Sequence, residues 1–293
     1  MLPALSVATP VVETLQNNEQ WFWVHSSFKQ VLNLQGEAGQ LISLLTKAVD
    51  DGPFSIRLPL TTFSFYLSTS RFYSDGTMLV GSVLKVQWGD APRWNPALSP
   101  GRLSVDEPMT QLVRQVAGCL STSNAPLTQS FFSLFPTLHP APRRPLPHAG
   151  DRLWKGAGEE RLAALHRALL GEDDVALGVA AMSLLGWGTG LTPAGDDCLL
   201  GLLAGCRMVG RDVTSLQTMI QRDAAPRTTS LSAALLQAAS VGHFSASWHR
   251  LALALERRAA PAVDAAARHL MAHGASSGAD ALVGWLLALL PQV

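Results

Sequence analysis

The chain carries two different hydrophobic patterns, one on each side of a proline-rich stretch. From about residue 20 to 105, short runs rich in β-branched and aromatic residues alternate with turn signals. Such runs predict strands at Phe28–Leu34, Phe54–Leu58, Phe63–Ser68, Met78–Val80 and Val83–Trp88. Asp51-Gly52-Pro53, Asp75-Gly76 and Gly89-Asp90-Ala91-Pro92 predict the turns between them. Asp106 to Ser121 predicts a first helix, with Leu112, Val116 and Cys119 at helical spacing. From residue 151 onward the pattern changes to Ala- and Leu-rich segments of helical period. They predict helices at about 155–170, 173–185, 194–209, 213–222, 229–240, 246–257, 262–272 and 279–290.

Residues 136–150 hold five prolines. Proline fixes φ and lacks a backbone donor, so this stretch predicts an extended connector. The expected architecture is α+β: a β-rich N-terminal part, barrel-like or a curled sheet, followed by an all-helical C-terminal part. The expected division is a β-rich domain with one helix over 1–135, the connector over 136–150, and a helical domain over 151–293.

Composition narrows the function classes. The 293 residues are 47% hydrophobic but only 15% charged, against about 25% charged in an ordinary soluble domain. With so few charges to cover the surface, part of it is expected to be buried against other subunits. Basic and acidic residues balance at 22 each, and evenly in both halves. That argues against nucleic acid and a polybasic membrane surface as partners. The three cysteines show no CxxC or Cys/His grouping, so a zinc site or disulfide framework is not expected. Met1 to Thr14 has neither a basic nor an apolar leader region, and the longest apolar runs, Cys198–Cys206 and Ala281–Leu290, are too short to span a bilayer. A cytoplasmic location is therefore expected.

Three segments can carry chemistry. In Gly186-Trp187-Gly188-Thr189-Gly190-Leu191-Thr192-Pro193-Ala194-Gly195-Asp196-Asp197, alternating glycines lead into a helix start. Thr192 suits the N-cap and Pro193 the first helical position. A Gly-rich loop at a helix N-terminus presents free N–H groups to an anion. No Gly-Lys-Ser/Thr follows, and no strand precedes, so neither a P-loop nor a dinucleotide fingerprint fits. Two adjacent carboxylates also oppose a bare phosphate site unless a cation or an arginine balances them. The alternative is a helix–loop–helix corner, with glycines for close packing and carboxylates complementing the helix dipole. Because neighbours on a helix point about 100° apart, Asp196 and Asp197 are not expected to face one ligand together.

The second segment, Arg227-Thr228-Thr229-Ser230-Leu231-Ser232, clusters hydroxyls at a helix start. They serve either as caps or as donors to an oxyanion. The third, His273 to Asp280, holds Ser276 and Ser277, and Ser277-x-x-Asp280 has the spacing of a capping box. If the three starts converge, they form an anion pocket with carboxylates able to bind an amide or a metal.

Together, GWGTGLTPAGDDCLLGLLAG, TTSLSAALLQAASVGHF and HGASSGADALVGWLLAL resemble the signature blocks of a bacterial domain-of-unknown-function family. That family is associated with the third, H-type, subunit of oxamate carbamoyltransferase in anaerobic allantoin degradation. The likeness spans roughly residues 175–290. It implies a component of a multi-subunit enzyme that moves a carbamoyl group between oxamate or oxalurate nitrogen and phosphate. Small anionic substrates of this kind suit helix N-termini and hydroxyls. On that footing Gly188, Gly190 and Thr192 hold phosphate or the oxyanion, with Asp197, Thr228, Thr229, Ser230, Ser276 and Ser277 in the binding set. Asp196 binds an amide N–H or acts as base, and Asp280 does the same from the opposite side. No cofactor is expected, Mg²⁺ at Asp280 apart. Two alternatives stand beside this reading: a non-catalytic scaffold subunit, and a Mg²⁺-dependent hydrolase of a phosphate or glycosidic bond.

Overall fold

A computed structural model describes residues 1–16, 19–63, 71–121, 130–131 and 149–290, and leaves undescribed the side chains of 121 and 149–155. By its internal contacts the chain forms two compact units, Met1–Ala97 with His243–Ala246, and Leu98–Gly242 with Ser247–Val293.

The first unit is a curled ten-stranded sheet. Its strands are β1 (Leu2–Pro3), β2 (Ser6–Ala8), β3 (Gln20–Ser27), β4 (Val31–Gly36), β5 (Leu41–Thr46), β6 (Ser55–Leu58), β7 (Arg71–Ser74), β8 (Met78–Gly81), β9 (Lys85–Gln87) and β10 (Arg93–Trp94). One helix, α1 (Thr9–Leu15), follows β2. The strand order is β1-β9-β8-β7-β3-β4-β5-β6-β2-β10. Pairing is antiparallel except between β1 and β9, β5 and β6, and β2 and β10.

Alternation sends Phe22, Leu32, Leu34, Ile42, Leu44, Ile56, Phe72 and Leu79 to one buried face, where Val11 and Leu15 of α1 join them. On the other face Asn33 forms a polar rung across three strands. It donates to Ser26 Oγ at 2.9 Å and accepts from Ser43 Oγ at 2.7 Å.

The predicted strands at 54–58, 78–80 and 83–88 coincide with β6, β8 and β9. The strand expected at 28–34 begins later, because Phe28 lies in the β3–β4 turn, where its N–H donates to Val31 O at 2.8 Å. Six strands, β1, β2, β3, β5, β7 and β10, lie outside the predicted set; of these β5 is a near-continuous apolar run, Leu41 to Leu45, without alternation. Beyond Phe63, the strand expected at 63–68 lies outside the described residues, as do residues 136–148 of the proline-rich stretch.

The second unit is helical: α2 (Glu107–Ser121), α3 (Ala149–Leu170), α4 (Asp174–Leu184), α5 (Ala194–Val209), α6 (Thr214–Arg227), α7 (Ser230–Ser240), α8 (Ala246–Glu256), α9 (Ala260–Met271) and α10 (Ser277–Leu289). Every helix predicted after residue 150 is present. The helix expected at 213–222 ends later, because α6 runs on to Arg227 with Pro226 in its last turn. By internal contacts the helical unit begins at Leu98. The physical reason is that residues 98–103 bond to the end of α5, Gly101 N–H to Arg207 O at 2.8 Å and Leu103 N–H to Met208 O at 3.0 Å, while α2 packs on α9 and α10. No helix among the described residues is long and apolar enough to cross a membrane.

The centre of this unit is the pair α5 and α10. A Cβ on Gly201 would lie 1.6 Å from Ala281 O, and one on Gly284 would lie 1.8 Å from Cys198 O. These glycines let the two backbones touch. Thr192, just before α5, is hydrogen bonded to Ser277 at the start of α10, and Gly205 meets Trp285 and Ala288 farther along. The two helices therefore run in the same direction with adjacent N-termini.

Candidate functional site

The loop between α4 and α5 is shaped by its glycines. Gly186 has φ +74° and a Cβ there would lie 2.1 Å from Arg227 O; Gly188 has φ +124° and a Cβ there would lie 2.7 Å from Ala194 N. Side chains are excluded at both, by conformation and by space. Gly188, Thr189 and Gly190 are exposed at the loop tip. Trp187 stacks on Phe131 at 5.0 Å between centroids, with the Arg161 guanidinium 5.4 Å from its ring.

The loop ends differently from the expected cap. Pro193, not Thr192, occupies the N-cap of α5, and no side chain caps it. The Thr192 hydroxyl is turned to Ser277 Oγ at 2.9 Å. Gly195 N–H donates to Trp187 O at 2.8 Å, and Asp196 and Asp197 N–H donate to Pro193 O. These first-turn amides are thus closed by the loop's own carbonyls, and the open anion cradle expected at this helix start is largely taken up internally.

Two of the three segments meet at Asp196, while the third, through Ser277, meets Thr192. The Asp196 carboxylate accepts from Gly186 N–H at 2.6 Å, from Ser232 Oγ at 2.7 Å and from the Thr228 hydroxyl. Two hydroxyls of that cluster, Thr228 and Ser232, therefore serve an internal carboxylate. Burial raises the Asp196 pKa, and these three donors pull it back. Thr229 caps α7 by accepting from Ser232 N–H at 3.1 Å, and donates its own hydroxyl to Leu191 O at 2.5 Å. Ser230, the first residue of α7, is exposed.

Asp197 and Asp280 form a second arrangement. Asp280 is fully buried, and its Oδ1 accepts from Ser130 Oγ and from Phe131 N–H, both at 2.7 Å. The Ser277-x-x-Asp280 capping box does not form: Ser276 is the N-cap without a side-chain cap bond, Ser277 turns to Thr192, and Asp280 turns to residues 130–131. Asp197 is 8% exposed. Burial raises its pKa well above the usual carboxylate range, the Ser277 and Thr192 hydroxyls lower it, and the Asp280 charge raises it again. Burial pushes Asp280 up to about 6, against the hydrogen bonds from Ser130, Phe131 and Ser276. In each of these two residues Oδ2 has no hydrogen-bond partner among the described residues.

The geometry separates neighbouring carboxylates as the helix period requires: Asp196 faces the loop and α7, Asp197 faces the start of α10. Among the described residues, Asp196, Asp197 and Asp280 do not gather ligand atoms within 4.8 Å as a trio. Ser130, Phe131 and Ser232 complete these contacts without having been picked out as site residues. Residues 130 and 131 lie some 150 positions from Asp280, and no local pattern marks them.

A family model described as oxamate carbamoyltransferase subunit AllH matches residues 184–289, and one described as the AllH family N-terminal domain matches residues 3–93. The chain belongs to the AllH family. The AllH match takes in the glycine loop, α5, α7 and α10, so both carboxylate arrangements lie within it; the AllH N-terminal match coincides with the curled sheet. No curated protein and no solved structure was found to match the chain.

Proposed function

We propose that the chain is the H-type component of a carbamoyl-transferring enzyme that acts on oxalurate and phosphate, and in reverse on oxamate and carbamoyl phosphate. The observation that carries this reading is the AllH match over the helical unit's three blocks. In the catabolic direction a phosphate oxygen attacks the ureido carbonyl carbon of oxalurate. The C–N bond to the oxamate nitrogen then breaks, and that nitrogen takes up a proton. The intermediate is tetrahedral and bears an oxyanion. The exposed Gly188–Gly190 tip and Thr192 are the groups on this chain suited to the anion. Asp197 and Asp280 are the buried carboxylates suited to face the reacting groups at the shared start of α5 and α10. Asp196 is a positioning residue in this reading: it ties the loop to α7.

The partners are the other subunits of the enzyme. The low charge content supports this, as do Val175 and Val179, one turn apart on α4 and 73% and 69% exposed. A scaffold role is the second reading, favoured by the complete internal use of Asp196 and by the glycine contacts between α5 and α10.

The test is phosphate-dependent release of oxamate from oxalurate, by the chain alone and with its co-purified partners. Release only in the assembled mixture, lost on Asp280→Asn in an assembly that still forms, is the expected outcome. Full activity of that variant favours the scaffold. No release in either mixture defeats the carbamoyltransferase reading.

A further inference from the structure

Asp197 and Asp280 stand in the first turns of two parallel, touching helices, at 8% and 0% exposure, and each keeps one oxygen without a partner. No ion pair reaches either among the described residues. Bare buried carboxylate oxygens are costly and call for a compensating ligand. The neighbouring groups supply oxygen donors: the Thr192 and Ser277 hydroxyls beside Asp197, and the Ser130 and Ser276 hydroxyls beside Asp280. Two carboxylates with neutral hydroxyls are the ligands of a hard divalent cation. Mg²⁺ in particular is held by one or two carboxylates and completes its shell with water and phosphate oxygens. An amide N–H would satisfy the oxygens but would leave two buried negative charges unbalanced.

We propose that Asp197 and Asp280 together hold one divalent cation of the Mg²⁺ class at the shared N-terminal end of α5 and α10. The cation site rests on the oxygen donors. That its open positions take phosphate oxygens rests on the carbamoyltransferase reading above.

Mn²⁺ is the probe, titrated into the chelator-treated full chain and followed by loss of the free-ion electron paramagnetic resonance signal. One Mn²⁺ per chain, displaced by Mg²⁺, is the expected result. Asp197→Asn and Asp280→Asn are each expected to weaken binding by about tenfold or more. Each is also expected to raise the Tm of the metal-free chain, since each removes an uncompensated buried charge, and that rise reports that the variants fold. Ser277→Ala, a milder change at a half-buried hydroxyl, is expected to weaken Mn²⁺ binding without loss of fold. A wild-type chain that binds no Mn²⁺, or folded Asp variants that bind it as wild type does, overturns the site. The readout is independent of carbamoyl transfer. Mn²⁺ binding with no oxamate release by the assembled mixture defeats the functional reading and leaves the cation site standing; release by the assembled mixture without Mn²⁺ binding does the reverse.

Discussion

Gly201 lies so close to Ala281 that a methyl group on its Cα would come 1.6 Å from the Ala281 carbonyl oxygen. Gly201→Ala must therefore push α5 and α10 apart, and is expected to cost about 3 kcal/mol or more. Gly156→Ala is the contrasting change. It lies exposed within α3 with nothing within 4 Å of the added Cβ, and should gain about 0.5–1 kcal/mol through helix propensity. Urea unfolding of the two variants checks both signs; equal effects would refute the close crossing of α5 and α10.

Asp196→Asn replaces a carboxylate that only accepts with an amide that also donates. Its Oδ2 receives hydroxyls from both Thr228 and Ser232, so either the new amide faces donors or the Gly186 N–H loses its acceptor. A loss of about 2 kcal/mol is expected. Denaturant titration measures it, and an unchanged midpoint would contradict the orienting role assigned to Asp196.

Thr229 performs two jobs with one hydroxyl, as cap of α7 and as donor to Leu191 O. Thr229→Ala should cost about 1–2 kcal/mol. Thr229→Ser, which keeps the hydroxyl, should recover most of it. A Ser variant no more stable than the Ala variant would count against the hydrogen bonds.

His273 gives a pH dependence of known sign. Burial lowers its pKa from 6.5 to about 4, helped by His269 and Arg250. Between those values the unfolded chain binds a proton that the native chain does not, so stability rises with pH. The contribution is complete above pH 6.5 and is lost as pH falls through 4. A shift of this size corresponds to about 3 kcal/mol at most. Urea midpoints at pH 4.5 and 7 for wild type and His273→Gln test it; the variant should lose less stability on acidification.

The helical half was legible because outer helices such as α9 bury one stripe of period 3.6, while α5 and α10, buried nearly all round, read as apolar runs too long for strands. The prediction for 194–209 meets α5 at both ends, where Pro193 and the left-handed Gly210 bound it. The sheet was less legible. The β5 run Leu41 to Leu45 is nearly all buried and shows no alternation, so the period that distinguishes a strand is missing. The three chemical segments were visible as well, because glycines, hydroxyls and carboxylates at helix starts are local signals.

The partners of those carboxylates were decided by tertiary structure alone. Helix geometry required Asp196 and Asp197 to diverge, but left open which one turned inward on the loop and α7. The direct backbone contact of α5 with α10 settles it: that contact brings Asp280 into the electrostatic reach of Asp197, and leaves Asp196 to Gly186, Thr228 and Ser232. Local periodicity determines which residues share a helix face. Which face meets which, across more than 80 residues of chain, follows from how closely the glycines let two helices approach.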